Sequence, residues 1–345
     1  MDFQLRPGLR ITTGDCKMIY SRRHFGLTTL AAFSAGRLLG QKVDGVQLGV
    51  CTYSFRTLPH APGGDAVDGV IQALKECGTD ECELFSPQLE PATPTPPAAP
   101  RRSNPDAAPP TPEARAAAAR ARMSSPEAKK AREDLRQWRL NTPADHFHAV
   151  RDKFHAAGIQ IFAYTVNFRD DFTDDEIDKC FEQAKALGAG VIATSTQLSF
   201  AKRLAPFADK HQHIVALHGH SNVKDPNEFS SPATFEAGLA LSDLFRINLD
   251  IGHFTAANFD PVAYIEKQHS KITHLHMKDR KRNDGPNEPF GEGDTPIKQV
   301  LLLLKSKRYP IPAFVEYEYR GTGTPVEEVK KALAFEKAAL SQNAS

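Results

Sequence analysis

Short apolar runs of strand length recur eight times along this 345-residue chain, each bounded by glycine, proline or polar residues and separated from the next by a helix-length pattern. Strands are expected at residues 46–53, 81–85, 159–166, 190–195, 213–218, 245–250, 272–277 and 313–317. Helix-like stretches lie between them, among them 66–77, 144–157, 174–187, 232–241 and 325–340. The third of these opens with Asp174, Asp175 and Glu176, whose charge suits a helix N-terminus. Parallel strands need crossover connections, and eight such units close a parallel sheet into a barrel whose interior is filled by side chains. The expected fold class is therefore α/β, a single (β/α)8 TIM barrel over residues 46–340.

Residues 88–142 break the rhythm. Nine prolines fall between residues 91 and 112, and an Ala/Arg-rich helical stretch follows at 113–139. Without this insertion the repeating region has about the length of a typical (β/α)8 barrel, roughly 250 residues. The insertion follows the second strand on the face where such barrels keep their active sites, so it reads as a polyproline arm and a helical lid. A disordered decoration is the other reading.

Charge and cysteine content exclude several classes. Beyond residue 40 the chain carries 37 Lys and Arg against 40 Asp and Glu, too few cations for a nonspecific grip on nucleic acid. The five cysteines include no CxxC, so neither a zinc ribbon nor a disulfide framework is indicated. Cys51 and Cys82 lie on the first two strands, and nothing in the sequence decides between a bond and two buried thiols. No apolar run reaches the roughly 18 to 20 residues needed to span a bilayer, so stable membrane insertion is not expected. Residues 1–40 form an N-terminal extension in which Arg22 and Arg23 precede a weakly apolar run of small residues at 28–35. That pattern resembles a twin-arginine signal, which makes the export machinery a partner and the periplasm the expected location, with a membrane tether if the signal is not cleaved. An amphipathic first helix with two solvated arginines is the plainer alternative.

Polar side chains that end an otherwise apolar barrel strand are where the chemistry of such a fold sits. The fifth strand ends on His218-Gly219-His220, and the sixth on Leu249-Asp250-Ile251-Gly252-His253. The seventh reads His274-Leu275-His276-Met277-Lys278-Asp279, and the eighth Val315-Glu316-Tyr317-Glu318. Residues two apart on a strand share a face, so one strand can offer both a ligand and a neighbour. His218, Asp250, His276 and Glu316 are separated by about one βα unit each, so four consecutive strands would each donate one nitrogen or oxygen ligand. Two imidazoles and two carboxylates suit Mn, Zn, Co or Fe(II) better than Ca or Mg. His220, His253 and His274 are placed to fix the tautomers of ligands or to contact substrate, and Lys278 to polarise a substrate oxygen or to form a solvated salt bridge. Trp138 and Arg139, at the end of the insertion, offer a stacking face and a cation for a sugar, or hinge packing for the lid.

These same runs, with the loop Gly291-Glu292-Gly293-Asp294, resemble the sugar phosphate isomerase/epimerase proteins of the xylose-isomerase-like (AP endonuclease family 2) barrel superfamily. The resemblance runs from about Val46 to Leu340 with the proline-rich insertion outside it. It implies a small-molecule sugar substrate, a Mn-type divalent ion at the barrel mouth, and barrels that often associate into homo-oligomers. Asp250, His276 and Glu316 match metal ligands of that family. The fifth-strand position departs from it, because the family's epimerases place a glutamate where this chain has His218, so a two-glutamate epimerisation is in doubt.

The expected activity is a metal-dependent isomerase or epimerase acting on a ketose, keto-sugar or related polyol by α-proton abstraction through a metal-stabilised enediolate. Glu316 is the first choice of base, with Glu83, Glu318 or His253 as the second group. The same enolate chemistry would serve a lyase or hydratase on 3-keto-glycosides. A barrel that binds an exported sugar without turning it over is the non-enzymatic alternative. The superfamily's DNA endonucleases fit poorly with the near-neutral charge. Gly291 to Asp294 and Gly321-Thr322-Gly323 are weak candidates for a phosphate cradle and read more simply as barrel turns.

Overall fold

The computed structural model describes residues 42–61, 64–92 and 125–341. The twin-arginine segment and most of the proline-rich insertion lie outside these residues. Eight parallel strands form the barrel: β1 (Val46–Cys51), β2 (Glu81–Phe85), β3 (Gln160–Thr165), β4 (Val191–Thr194), β5 (Ile214–His218), β6 (Phe245–Asp250), β7 (Ile272–Met277) and β8 (Ala313–Val315). Each pairs with its successor, and β8 closes the barrel by pairing with β1 at Ala313↔Leu48 and Val315↔Val50. Four of the eight sequence-based strands overrun these bounds by a residue or two at their C-terminal ends, and the other four end where expected. Glu316 and Tyr317, for example, leave the β8 ladder and enter the loop that carries the site.

Helices return the chain between strands: α1 (Val67–Cys77), α2 (Pro126–Asn141), α3 (Ala144–Ala156), α4 (Asp174–Ala186), α5 (Leu198–His211), α6 (Pro232–Leu239), α7 (Ile251–Ala256), α8 (Pro261–Gln268), α9 (Ile297–Lys307) and α10 (Pro325–Ser341). Helix α4 starts on a capping box, with Thr173 accepting from the Glu176 amide and Glu176 reaching back to the Thr173 amide. The barrel is tight enough that Gly49 on β1 has no room for a side chain, since a Cβ there would lie 2.5 Å from Phe314 and 2.6 Å from the Glu81 carbonyl. Cys51 and Cys82 are buried free thiols, which answers the question the sequence left open. No helix among the described residues is long and apolar enough to cross a membrane.

Most of the insertion expected to form a lid lies outside the described residues, and its C-terminal helix packs on the barrel. Helix α2 is seated on the barrel's outer layer through buried charge. Arg136 Nε lies 2.8 Å from Glu176, and Arg139 lies 2.8 Å from Glu90 and 3.4 Å from Glu176. Glu176 and Glu90 are buried, so these pairs replace lost hydration and hold α2 against α4. The described part of the insertion is a buttress, and residues 113–124 of its expected helix lie outside the described residues.

One buried group in the outer layer works against the fold. Glu336 on α10 is fully buried with neither carboxylate oxygen hydrogen-bonded, and burial pushes its carboxyl well above the usual range. The unfolded chain releases this proton near the ordinary carboxylate value while the folded chain holds it. Stability is therefore full at acid pH and falls as pH rises towards the folded value, by about 1.4 kcal/mol per unit. Glu336→Gln should match the wild type in thermal unfolding near pH ~4 and become the more stable protein as pH approaches neutrality. Parallel melting-temperature profiles across that range would refute the assignment.

Candidate metal and sugar site

At the C-terminal mouth of the barrel, His218 ends β5, Asp250 ends β6, His276 lies near the end of β7, and Glu316 follows β8. One ligand atom from each falls within 4.8 Å of the others, and all four residues are buried. The strand-to-strand spacing seen in the sequence thus becomes a compact donor set. Asp250 also caps α7, accepting the His253 amide at Oδ1 over 2.7 Å, which aims Oδ2 at the cluster. His218 Nδ1 is buried without a hydrogen-bond partner, and burial holds this ring well below its usual pKa, so it is neutral with nitrogen available. A neutral imidazole with an unspent nitrogen, a second imidazole and two carboxylates fit a Mn, Zn, Co or Fe(II) ion.

Beneath the cluster, Glu83 on β2 is fully buried. Its Oε2 accepts from His276 Nε2 at 2.6 Å and from His274 Nε2 at 2.7 Å, while Thr165 donates to Oε1. Burial opposes its ionisation, but His276 and His274 outweigh burial and hold the carboxyl far below its ordinary value. Glu83 therefore fixes the ring of His276 so that Nδ1 faces Glu316, 3.1 Å away. This differs from the proton-transfer role considered for Glu83, whose two oxygens are already engaged. His274 is likewise not at the mouth: it is completely buried and packs on Phe162 and Phe314 at centroid distances of 5.4 and 5.5 Å. It supports Glu83 and has no surface to offer a substrate.

Lys278 brings a cation among the acids. Its Nζ lies 3.0 Å from Asp250 Oδ2, 2.8 Å from Glu316 Oε2 and 2.6 Å from Glu318 Oε2. Burial disfavours the ammonium, yet these three carboxylates more than offset it and raise its pKa well above normal. Glu316 is held well below the carboxylate range, because Lys278 and His276 outweigh its burial. The neighbouring Asp279 has a different task. Its carboxylate accepts the amides of Gly291 (2.8 Å), Gly293 (3.0 Å) and Thr295 (3.1 Å). A Cβ on Gly293 would collide with that carboxylate. The glycine loop is thus built around an internal acid: the Gly291 and Gly293 amides are spent on Asp279, and those of Glu292 and Asp294 on the Pro289 and Arg280 carbonyls. In the second glycine loop, Gly323 donates to Glu328 at 2.9 Å and Gly321 to the Tyr317 hydroxyl at 3.2 Å. Neither loop is a phosphate cradle.

A cavity of about 340 Å³ opens over the cluster. His218, His276 and Glu316 line it together with Lys278, Glu318, His220 and His253, and Glu83 also reaches it. His220 is held by Ser195 and Glu228, each at 3.1 Å. Trp138 and Arg139 are not among the residues lining this cavity. Trp138 packs edge-on against His146 and Phe147, and Arg139 lies over Phe172 between Glu90 and Glu176. Sequence reasoning missed Cys51, whose thiol, pushed up to about 12 by burial and by Glu83, lies beside Glu83 and His276. It also missed Arg280, two positions beyond Lys278, where only its place directly after the His274–Asp279 run pointed to the site.

Fold and cluster together define a (β/α)8 barrel with an imidazole and carboxylate site at its C-terminal mouth. The chain belongs to the xylose isomerase-like TIM barrel family, whose model matches residues 71–339. An L-ribulose-5-phosphate 3-epimerase, UlaE, of Salmonella paratyphi A is 30% identical over 98 residues, 28% of this chain and 34% of that protein. The chain thus spans about a third of the length of the epimerases it matches. Among solved structures, the IolI protein with a bound zinc atom superposes with a TM-score of 0.56 at 14% identity, covering 86% of this chain and 98% of that one. The 3-keto-D-glucoside 4-epimerase YcjR of E. coli superposes with a TM-score of 0.51 at 12% identity, covering 85% and 99%. These likenesses are of fold.

Metal addition tests the donor set directly. Manganese or zinc at about 100 times its Kd should stabilise the folded protein by about 2.7 kcal/mol, read as a rise in melting temperature. His218→Ala and Asp250→Asn should abolish the rise. An undiminished rise in both variants would place the ion elsewhere.

Proposed function

We propose that the protein is a divalent-metal-dependent sugar isomerase or epimerase, acting on a ketose, keto-sugar or related polyol by removal of a proton α to a carbonyl. The observation that carries this reading is the buried set His218, Asp250, His276 and Glu316, with Lys278 joined to its two carboxylates, at an open cavity. Family membership and the partial match to an epimerase support the same chemistry. Manganese is the first choice of ion, with zinc, cobalt or iron as alternatives. When bound, such an ion supplies Lewis acidity that draws charge from the carbonyl and acidifies the adjacent C–H.

The chain's own residues do the rest. Glu316, kept ionised by Lys278 and His276, accepts the α-proton. Lys278, shared between Glu316 and Glu318, carries a proton at Nζ that can be delivered to the substrate. Glu83 and His274 hold the His276 ring from below and take no part in proton transfer. Tyr53 and Phe85, which line the cavity, give the sugar's C–H face apolar surface to rest on.

A second reading follows from His218. An imidazole at this position leaves Glu316 without a second carboxylate base across the substrate, and β-elimination from a 3-keto-glycoside needs only one. The N-terminal segment further suggests export to the periplasm, where a free or glycosidic sugar is the available substrate.

Incubation with ketoses and 3-keto-glycosides in heavy water tests the proposal. One substrate carbon should take up deuterium, and Glu316→Gln should lower that rate by roughly 100-fold or more. Release of the aglycone together with exchange would select the lyase. If Glu316→Gln retains both metal and exchange, the assignment of the base fails.

A further inference from the structure

Three sets of ligand atoms cluster at this mouth, and one of them, His218, His220 and His253, suggests a second metal site beside the first. The bonding of His253 argues otherwise. Arg280 Nη1 lies 2.6 Å from His253 Nδ1, and a guanidinium has donors only, so Nδ1 must accept. The imidazole proton is therefore on Nε2, which cannot then ligate a metal. Arg280 is itself buried and fixed from four directions. Nη1 donates to Ser221 Oγ at 2.8 Å, Nη2 and Nε donate to the Gly285 carbonyl at 2.6 and 3.1 Å, and Nη2 lies 3.4 Å from Asp284. Ser221 in turn donates to Asp284 at 2.6 Å, so its oxygen is free to accept from the arginine.

The other side of the ring is a donor without an acceptor. Lys278 Nζ lies 3.2 Å from His253 Nε2, but it is an ammonium with no lone pair to accept, and its ion-pair partners are Glu318 at 2.6 Å, Glu316 at 2.8 Å and Asp250 at 3.0 Å. Asp250 Oδ2 is 3.9 Å from Nε2, beyond hydrogen-bonding distance. His253 lines the cavity with its side chain 14% exposed. Its Nε2–H is thus an unspent donor beside the reacting groups.

We propose that Arg280 is a positioning residue that locks His253 in the Nε2–H tautomer, so that His253 presents a fixed hydrogen-bond donor to a substrate oxygen and acts neither as a proton acceptor nor as a metal ligand. The catalytic consequence rests on the function proposed above; the tautomer does not. A donor held in place before substrate arrives needs no reorganisation when charge develops on the oxygen it faces.

The zinc-loaded protein, labelled with nitrogen-15 in its histidines, gives the first test. His253 should show a bare, acceptor-type Nδ1 and a protonated Nε2, with one zinc per chain. Arg280→Met should remove this tautomer preference and lower kcat by roughly 10–100-fold with little change in KM or zinc content. Protonation of wild-type His253 at Nδ1 would overturn the proposal, as would a second zinc that is lost in His253→Ala, or an unchanged kcat in folded Arg280→Met. If Arg280→Met does not fold, the wild-type tautomer and zinc stoichiometry still decide. An Nε2–H tautomer in a protein that exchanges no sugar proton would sink the proposed function and leave the Arg280 assignment standing.

Discussion

A single carboxylate buried inside the barrel organises the rest of the site. Glu83 has no solvent, so its charge must be met by protein donors, and they come from other strands: Thr165 on the adjacent β3, and His274 and His276 on β7 across the barrel. An isolated buried carboxylate would be prohibitively costly, and two imidazole N–H groups and a hydroxyl make it tolerable. Meeting that charge also fixes the orientation of His276. With Nε2 committed below, Nδ1 has only the mouth to face, where Glu316, Asp250 and His218 converge. The constraint runs from an internal charge to a ligand geometry.

Above it, the mouth gathers more acids than cations. Lys278 answers three carboxylates at once, and Arg280 spends its donors on a carbonyl, a hydroxyl and an imidazole. Four of the five residues from His276 to Arg280 therefore sit in four different settings. His276 is a candidate ligand, Lys278 a cation among three carboxylates, Asp279 the core around which the glycine loop folds, and Arg280 the hydrogen-bond partner of a neighbouring histidine. Depth along the strand separates His274 from His276 in the same way. Although it shares a face with His276, it lies one layer deeper and meets Glu83 and two phenylalanines.

The corrections share a cause. Arg139 and Trp138 looked like sugar contacts because an aromatic and a cation side by side often are. They lie on α2, however, whose position is set by buried ion pairs to Glu90 and Glu176 on the barrel wall, and those partners are 49 and 37 residues away in sequence. The glycine loops, weak candidates for an anion cradle that read more simply as turns, have glycine amides already used by side-chain carboxylates and a tyrosine hydroxyl. A sequence shows which groups exist, and not which are already satisfied.

The eightfold strand and helix rhythm was legible because burial on both faces leaves a continuous apolar signature, and parallel pairing leaves no simpler closure than a barrel. Four candidate ligands were legible for the same reason, since a charged or imidazole side chain at the end of such a strand interrupts that signature at a regular interval. These properties the sequence determined by itself. The roles of Glu83, His274, Arg280 and Arg139 were decided only by tertiary structure. Each depends on a partner brought close by barrel closure, as far as 193 residues away for Glu83 and His276, and on which lone pairs and protons remain unspent once those contacts form.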